Sequence, residues 1–197
     1  DSAPSAFNFH LMNPGRIFTM AGQQYRYLEN MGGGNHLIIR NNALRNVSWN
    51  AQEGVLTSWY GQLDPAVQAM VQPVANSFTT GEVYHASVNF TGGANWIPDN
   101  LEGAVAADLT QVVPGGTARA FALSLADVAR LSGPGLAFPN HAQRVGDNDS
   151  WWWTRTPSPA PTAWRVQNDF MGGRLVSVAR TYSHTGGGVR PALILHQ

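Results

Sequence analysis

The chain contains no cysteine, no lysine and little charge of either sign. Without cysteine there is no thiol nucleophile, no Cys-ligated zinc, no iron–sulfur cluster and no disulfide. Such a chain suits a reducing or an oxidising compartment, so redox location stays open. Without lysine there is no Schiff base, no phosphate-loop lysine, no lysine general base and no Lys–Asn isopeptide cross-link. Charged residues are 12% of the 197, about half of the ~25% usual in soluble domains. Twelve basic residues, all arginine, balance twelve acids, giving a formal net charge of zero. Balance at that density excludes an electrostatic footprint for nucleic acid or an anionic membrane. No apolar run approaches the ~18 residues of a membrane span, and no signal peptide is visible. The start at Asp1-Ser2-Ala3-Pro4 reads as a processed or trimmed terminus.

What is present argues for one folded unit. Apolar residues are 43%, including seven Trp, eight Phe and five Tyr, too much aromatic bulk for a disordered chain. The length fits the upper range of a single core. Residues 1–15 read as an N-terminal arm, with turn residues around Phe7, Phe9 and Leu11, docking on the domain or on a neighbour. Residues 16–197 read as the domain. Ile17 to Met20, Ala21-Gly22 and Tyr25 to Leu28 predict a hairpin, and His36 to Arg40 a third strand. From Val55 to Val74 apolar residues recur at helical spacing, divided at Asp64-Pro65, an N-cap followed by a proline suited to the first helical position.

Residues 76–116 are weakly periodic and read as irregular, with a brief strand over Val83 to Val88. Arg119 to Leu123 reads as a strand, and Ser124-Leu125-Ala126-Asp127 as a capping box opening a short helix through Leu131. The last third reads as strand and turn: 151–155, a triple-proline loop, 163–167, a turn over 168–173, 175–179, and a closing strand over Val189 to Leu195. The fold class is α+β, with twisted antiparallel strands, two or three short helices and long irregular loops.

Catalytic chemistry is poorly supplied. The six histidines include no pair at i,i+3 or i,i+4 spacing, so no transition-metal site is expected. Asp147 and Asp149 sit in an oxygen-rich Asx turn of the kind calcium accepts, which keeps calcium as a weak candidate cofactor; the same turn is also common for backbone reasons. No Gly-x-Ser-x-Gly elbow is present, and the glycine runs lack the strand–helix context of a nucleotide loop. If 151–155 is a strand, Trp151 and Trp153 share one face and Trp152 the other. Core filling accounts for at least two of them, and one of the three could serve as a ligand platform. Trp164, Arg165, Gln167, Asn168, Phe170, Arg174, Tyr182 and His184 mix large aromatics, arginine and amides around polar turns. That composition serves recognition surfaces and equally an ordinary exposed hairpin.

Trp152-Trp153-Thr154-Arg155-Thr156-Pro157, then Val166 before a hairpin turn, then Gly187-Gly188-Val189-Arg190-Pro191-Ala192-Leu193 resembles the ending of a bacterial domain family of unassigned function. That family occurs in secreted and surface proteins, and its modules end in "WWxRSP … GVRPAL". An early strand pair, the helix bearing Trp59 and the strand before Leu123 to Asp127 fall in the same order. The resemblance spans roughly residues 16 to 195, loosely over 76–116. The order also resembles the C-type-lectin-like fold, in the group holding formylglycine-generating enzymes and retroelement-diversified variable proteins. The resemblance implies that Trp152, Trp153, Arg155 and Arg190 are structural, with ligand-contacting side chains between them. It carries over no enzyme, since aerobic formylglycine generators depend on cysteine. Nor does it carry over a lectin calcium site, since Glu-Pro-Asn and Trp-Asn-Asp are both missing.

The expectation is therefore a non-catalytic receptor- or adhesin-type module, secreted or on a bacterial or virion surface. It would bind a protein or glycan through Trp164, Arg165, Gln167, Asn168, Phe170, Arg174, Tyr182 and His184 on one exposed face. No nucleic-acid partner, membrane insertion or required cofactor is expected. The alternatives are an enzyme acting on cell wall or glycan, and a structural fibre or pilus-tip assembly domain.

Overall fold

The computed structural model describes residues 2–146, 149–169, 172–184 and 186–197. Two antiparallel hairpins begin it: β1 (Ile17–Met20), β2 (Gln23–Gly32) and β3 (Asn35–Arg40). The first turn is Ala21-Gly22, both at positive φ (47° and 82°), which a two-residue turn of this hand requires. A short β4 (Leu44–Arg45) precedes α1 (Gln52–Gly61) and α2 (Pro65–Gln68). The Asp64 side chain caps α2 by accepting from Ala66 N at 2.8 Å.

The middle of the chain holds a two-stranded ribbon, β5 (Phe90–Thr91) with β6 (Ile97–Pro98), then α3 (Gly103–Ala107) and α4 (Leu125–Arg130). The capping box forms as the sequence predicts, with Ser124 accepting from Asp127 N and Asp127 accepting from Ser124 N. After α5 (His141–Val145) come β7 (Trp151–Pro157), β8 (Thr162–Val166), β9 (Leu175–Ala179), β10 (Gly187–Val189) and β11 (Ala192–His196).

Apart from the β5–β6 ribbon, the strands form two sheets, β1-β2-β3-β11 and β4-β10-β7-β8-β9. The architecture is α+β, mainly antiparallel, with few and short helices. The larger core lies between the sheets and under α4, where Leu37, Ile39 and Ile194 meet Trp152, Trp164, Val166 and Leu175. The far face of the first sheet is covered by α1, α2 and the N-terminal segment. There Phe9 is fully buried against Phe18 and stacked over Tyr27. Gln197 ties that segment down, accepting from Phe9 N (2.8 Å) and donating to Phe7 O (2.7 Å). Leu11, read as part of the docking patch, points to solvent at 74% exposure.

Three local expectations are corrected. Residues 83–88 do not form a strand: the Tyr84 carbonyl accepts from Ser87 N and Oγ, closing a 3-10 turn over His85–Ser87. A side-chain hydroxyl has offered the backbone a local alternative to a ladder. The stretch 119–123 makes a single bridge, Phe121 to Ala192. The closing strand is two strands in different sheets, split at Arg190-Pro191. Pro191 has no N–H to continue a ladder, and its carbonyl accepts from Arg40 N at 2.7 Å.

Arg190 sits at that crossover, fully buried, between the rings of Trp152 and Phe138 (5.1 and 5.9 Å). It donates to the carbonyls of Arg40 (2.7 Å) and Arg144 (3.3 Å). Arg155 is equally committed. It pairs with Asp108, donates to Thr110 Oγ1 (2.6 Å) and Ala122 O (3.0 Å), and lies 3.9 Å over Phe78. Trp152 and Trp153 are buried on opposite faces of β7, their indole nitrogens donating to the carbonyls of Arg144 and Val47, both at 2.9 Å.

Candidate functional site

Strand alternation sorts the second sheet into two faces. Trp152, Trp164, Val166 and Leu175 face the core between the sheets. Trp151, Trp153 and Ala163 face outward, with Trp49 and Val178 packed on them. Arg165 pairs with Trp153 and with Val176 in register, which places it on this outer face. The segment after β9 folds back across it and brings Tyr182 and His184 to the rim.

The centre of the face is Arg165, only 6% exposed. Its guanidinium lies 4.5 Å from the Trp151 ring and 4.9 Å from the Tyr182 ring, which are themselves 5.5 Å apart. Tyr182, 37% exposed, stacks on exposed His184 at 5.9 Å. Gln167 accepts from Arg165 Nε (3.1 Å) and Nη2 (2.8 Å) and donates to Asp169. Burial lowers the Arg165 pKa, partly opposed by the Tyr182 hydroxyl and Asp169. The Nε1 of Trp151 is buried without an acceptor, while the Arg165 guanidinium has the Tyr182 hydroxyl beside it as a side-chain hydrogen-bond partner.

The face therefore gathers Arg165, Gln167, Tyr182 and His184 of the residues expected from sequence. Arg174 shares the parity of Val176 and is half-buried, with its Nε lacking an acceptor. Asn168 is turned aside to donate to the Asp149 carbonyl at 2.9 Å. Trp164 is a correction. It shares parity with Val166, is fully buried on the inner face, and donates to the Val83 carbonyl at 3.0 Å. Phe170 lies outside the described residues.

Two arginines that the sequence reading did not single out hold the frame. Arg180 donates to Thr162 O (2.8 Å) and Ser158 O (2.6 Å) and lies over Trp49 at 4.9 Å. Arg144 is fully buried and donates to the carbonyls of Gly173, Trp96 and Asn95 and to Ser132 Oγ. Burial drives its pKa down to about 9. It fixes the β8–β9 turn, where Gly173 at φ 105° rests so close to the His141 carbonyl that no Cβ fits. A five-residue helix around Arg144 has too short a pattern to be read from sequence.

Among the described residues no three His, Asp or Glu side chains group so as to hold a metal. Of the two calcium candidates, Asp147 lies outside the described residues, and Asp149 sits at positive φ (51°). No helix among the described residues is long and apolar enough to cross a membrane. No family model, no curated protein and no solved structure matches the chain.

Proposed function

We propose that this chain is a non-catalytic ligand-binding module of C-type-lectin-like fold, displayed on a bacterial or phage surface. It grips a protein or glycan through the outer face of its five-stranded sheet. The observation that carries this reading is the Arg165 cluster: a buried guanidinium beside the rings of Trp151 and Tyr182, with the Trp151 Nε1 left without an acceptor. A buried donor without a partner costs about 1–3 kcal/mol, which an acceptor brought by a ligand offsets. Clustered Trp, Tyr and Arg are the side chains that dominate binding energy at interfaces.

The rival readings draw less support. Glycoside hydrolysis takes a facing carboxylate pair, and Asp169 is the one carboxylate hydrogen-bonded into this face among the described residues. An assembly arm would need its anchor free, whereas Phe9 is buried in its own domain. On the resemblance to retroelement-diversified proteins, sibling sequences are expected to vary within 164–184, with Trp164 kept because it fills the core.

The test is a bacterial glycan array and a displayed protein library, probed with the parent, Tyr182→Ala and His184→Ala. Tyr182→Ala should weaken any retained binder roughly thirtyfold with unchanged melting temperature. Binding that survives both substitutions would move the site off this face.

A further inference from the structure

A second site lies beside the first and does not depend on it. The start of α1 (Trp49, Gln52, Glu53) and the segment carrying Asn76, Phe78 and Thr80 enclose a groove of about 370 Å³. Arg155 closes one end, already committed to Asp108, Thr110 and Ala122, so it brings no free charge. That volume falls in the range of small-molecule sites.

Gln52 marks the groove as unfinished. It lines the groove, is 3% exposed, and its Oε1 is buried with no hydrogen-bond partner. The core of α1 does not need an amide there, because Leu56 and Trp59 supply its buried apolar contacts. The Oε1 is shut off from solvent in this structure, so the amide turns about its broad terminal torsion to offer a polar end to the groove when a ligand enters.

The rest of the lining states the ligand chemistry. Trp49 and Phe78 form apolar walls, while Asn76, Thr80 and Gln52 offer amides and a hydroxyl that both donate and accept. Glu53 is the lining carboxylate, an acceptor for hydroxyls. An occupant with an apolar face and a rim of hydroxyls satisfies every part of this wall, and the space suits about one six-membered ring.

We propose that the groove between the start of α1 and residues 76–80 binds a single pyranose sugar residue, with Gln52 as its buried hydrogen-bonding anchor. The sugar stacks its C–H face on the aromatic wall and places hydroxyls on the Gln52 and Asn76 amides. The groove shares Trp49 with the flank of the outer face, but Arg165, Trp151 and Tyr182 do not line it.

The test is saturation-transfer NMR on the full chain with the methyl glycosides of glucose, galactose, mannose and N-acetylglucosamine. At least one should bind with a Kd of about 1–10 mM, the affinity expected of so small a ligand. Gln52→Leu should weaken it by roughly tenfold or more while the melting temperature holds or rises, since an unpaired buried amide is removed. Asn76→Ala, at an exposed position, should weaken it in the same direction, and Tyr182→Ala should leave it unchanged. If none of the four glycosides binds up to about 20 mM, the proposal is overturned. It is overturned equally if binding ignores both Gln52→Leu and Asn76→Ala, or if it is lost in Tyr182→Ala. Should Gln52→Leu fail to fold, the amide is satisfied by the protein itself and is no anchor.

Discussion

The guanidinium of Arg165 lies 4.5 Å from the ring of Trp151, whose own Nε1 is buried and reaches no acceptor. A cation held against an aromatic face is favourable by about 0.5–2 kcal/mol depending on desolvation. The unpaired indole donor and the burial of the charge oppose that gain. Stability alone is therefore a weak reason for this pair.

The first prediction separates stability from function at this pair. Arg165→Met keeps the stem that packs on Trp151 and removes the buried charge. Burial already disfavours that charge, as the lowered pKa of Arg165 records. The melting temperature should stay within a few degrees of the parent or rise, because replacing buried charge with apolar bulk is often neutral or stabilising. Any ligand of the outer face should be lost. A large drop in melting temperature, measured by calorimetry, would instead make Arg165 a structural residue.

Arg190 should behave in the opposite way. Its substitution removes the guanidinium donor to the Arg40 carbonyl and leaves the Arg144 carbonyl with Trp152 Nε1 alone of its two side-chain donors, at the point where the chain passes between sheets. Hydrogen bonds to a charged group are worth about 1.5–3 kcal/mol each. Arg190→Ala should therefore cost about 3 kcal/mol or more, lowering the melting temperature by roughly 6–12 °C for a chain of this size. A parental melting curve would show that the crossover does not rely on this side chain.

The contrast between these two arginines shows what was legible in sequence. Both stand next to apolar residues, but only Arg190 belongs to the closing block of the resemblance. Arg190 could be placed because a charge within Val189-Arg190-Pro191-Ala192 must be buried with partners. Arg165 lies on the outer face of its sheet because it alternates with Trp164 and Val166. Trp164 went astray because residue type was weighed above parity: a tryptophan beside polar turns looks like a contact residue, but its neighbour two positions on is core. The capping box and the Asp64-Pro65 break were legible because each is a local rule about orphan N–H groups. Arg144, α3 and α5 were not, because five-residue helices carry too little periodicity, and what stabilises them is contact with residues far away in the chain.

Gly173 gives the third prediction. At φ 105° and pressed on the His141 carbonyl, it cannot take a side chain without moving α5 away from the β8–β9 turn. Arg144 Nε and Nη2 both donate to the Gly173 carbonyl (2.8 and 2.5 Å), so the displacement also frees a buried charge. Gly173→Ala should lower stability by about 2 kcal/mol or more. Hydrogen exchange should speed up first at Gln167 and at position 173, whose N–H groups donate to the Arg174 and Gln167 carbonyls across this turn. Unchanged exchange there would show that the turn is held from elsewhere.

The last prediction concerns pH and the N-terminal segment. His36 is buried beneath Phe9, with its Nδ1 at 2.6 Å from the Tyr27 hydroxyl. Its pKa lies below the ordinary 6.5, first because of burial and then because His10 and His196 would repel a charge there. Burial pushes Tyr27 the other way, up to about 12, so its hydroxyl keeps its proton and shares a hydrogen bond with His36. The folded state therefore binds less proton than the unfolded chain at pH values beneath 6.5, and stability must rise with pH through that window. Acidifying from pH 7.5 costs nothing until about 6.5 and then loses at most about 1.4 kcal/mol per pH unit for this one group, until the folded pKa is passed. His85, lowered by burial as well, adds a slope of the same sign. Melting followed from pH 7.5 to 5 should fall accordingly, and His36→Gln should flatten part of that fall while keeping a partner for Tyr27. If the variant melts with the parental pH slope, proton uptake at His36 does not contribute and the acid sensitivity belongs to another group.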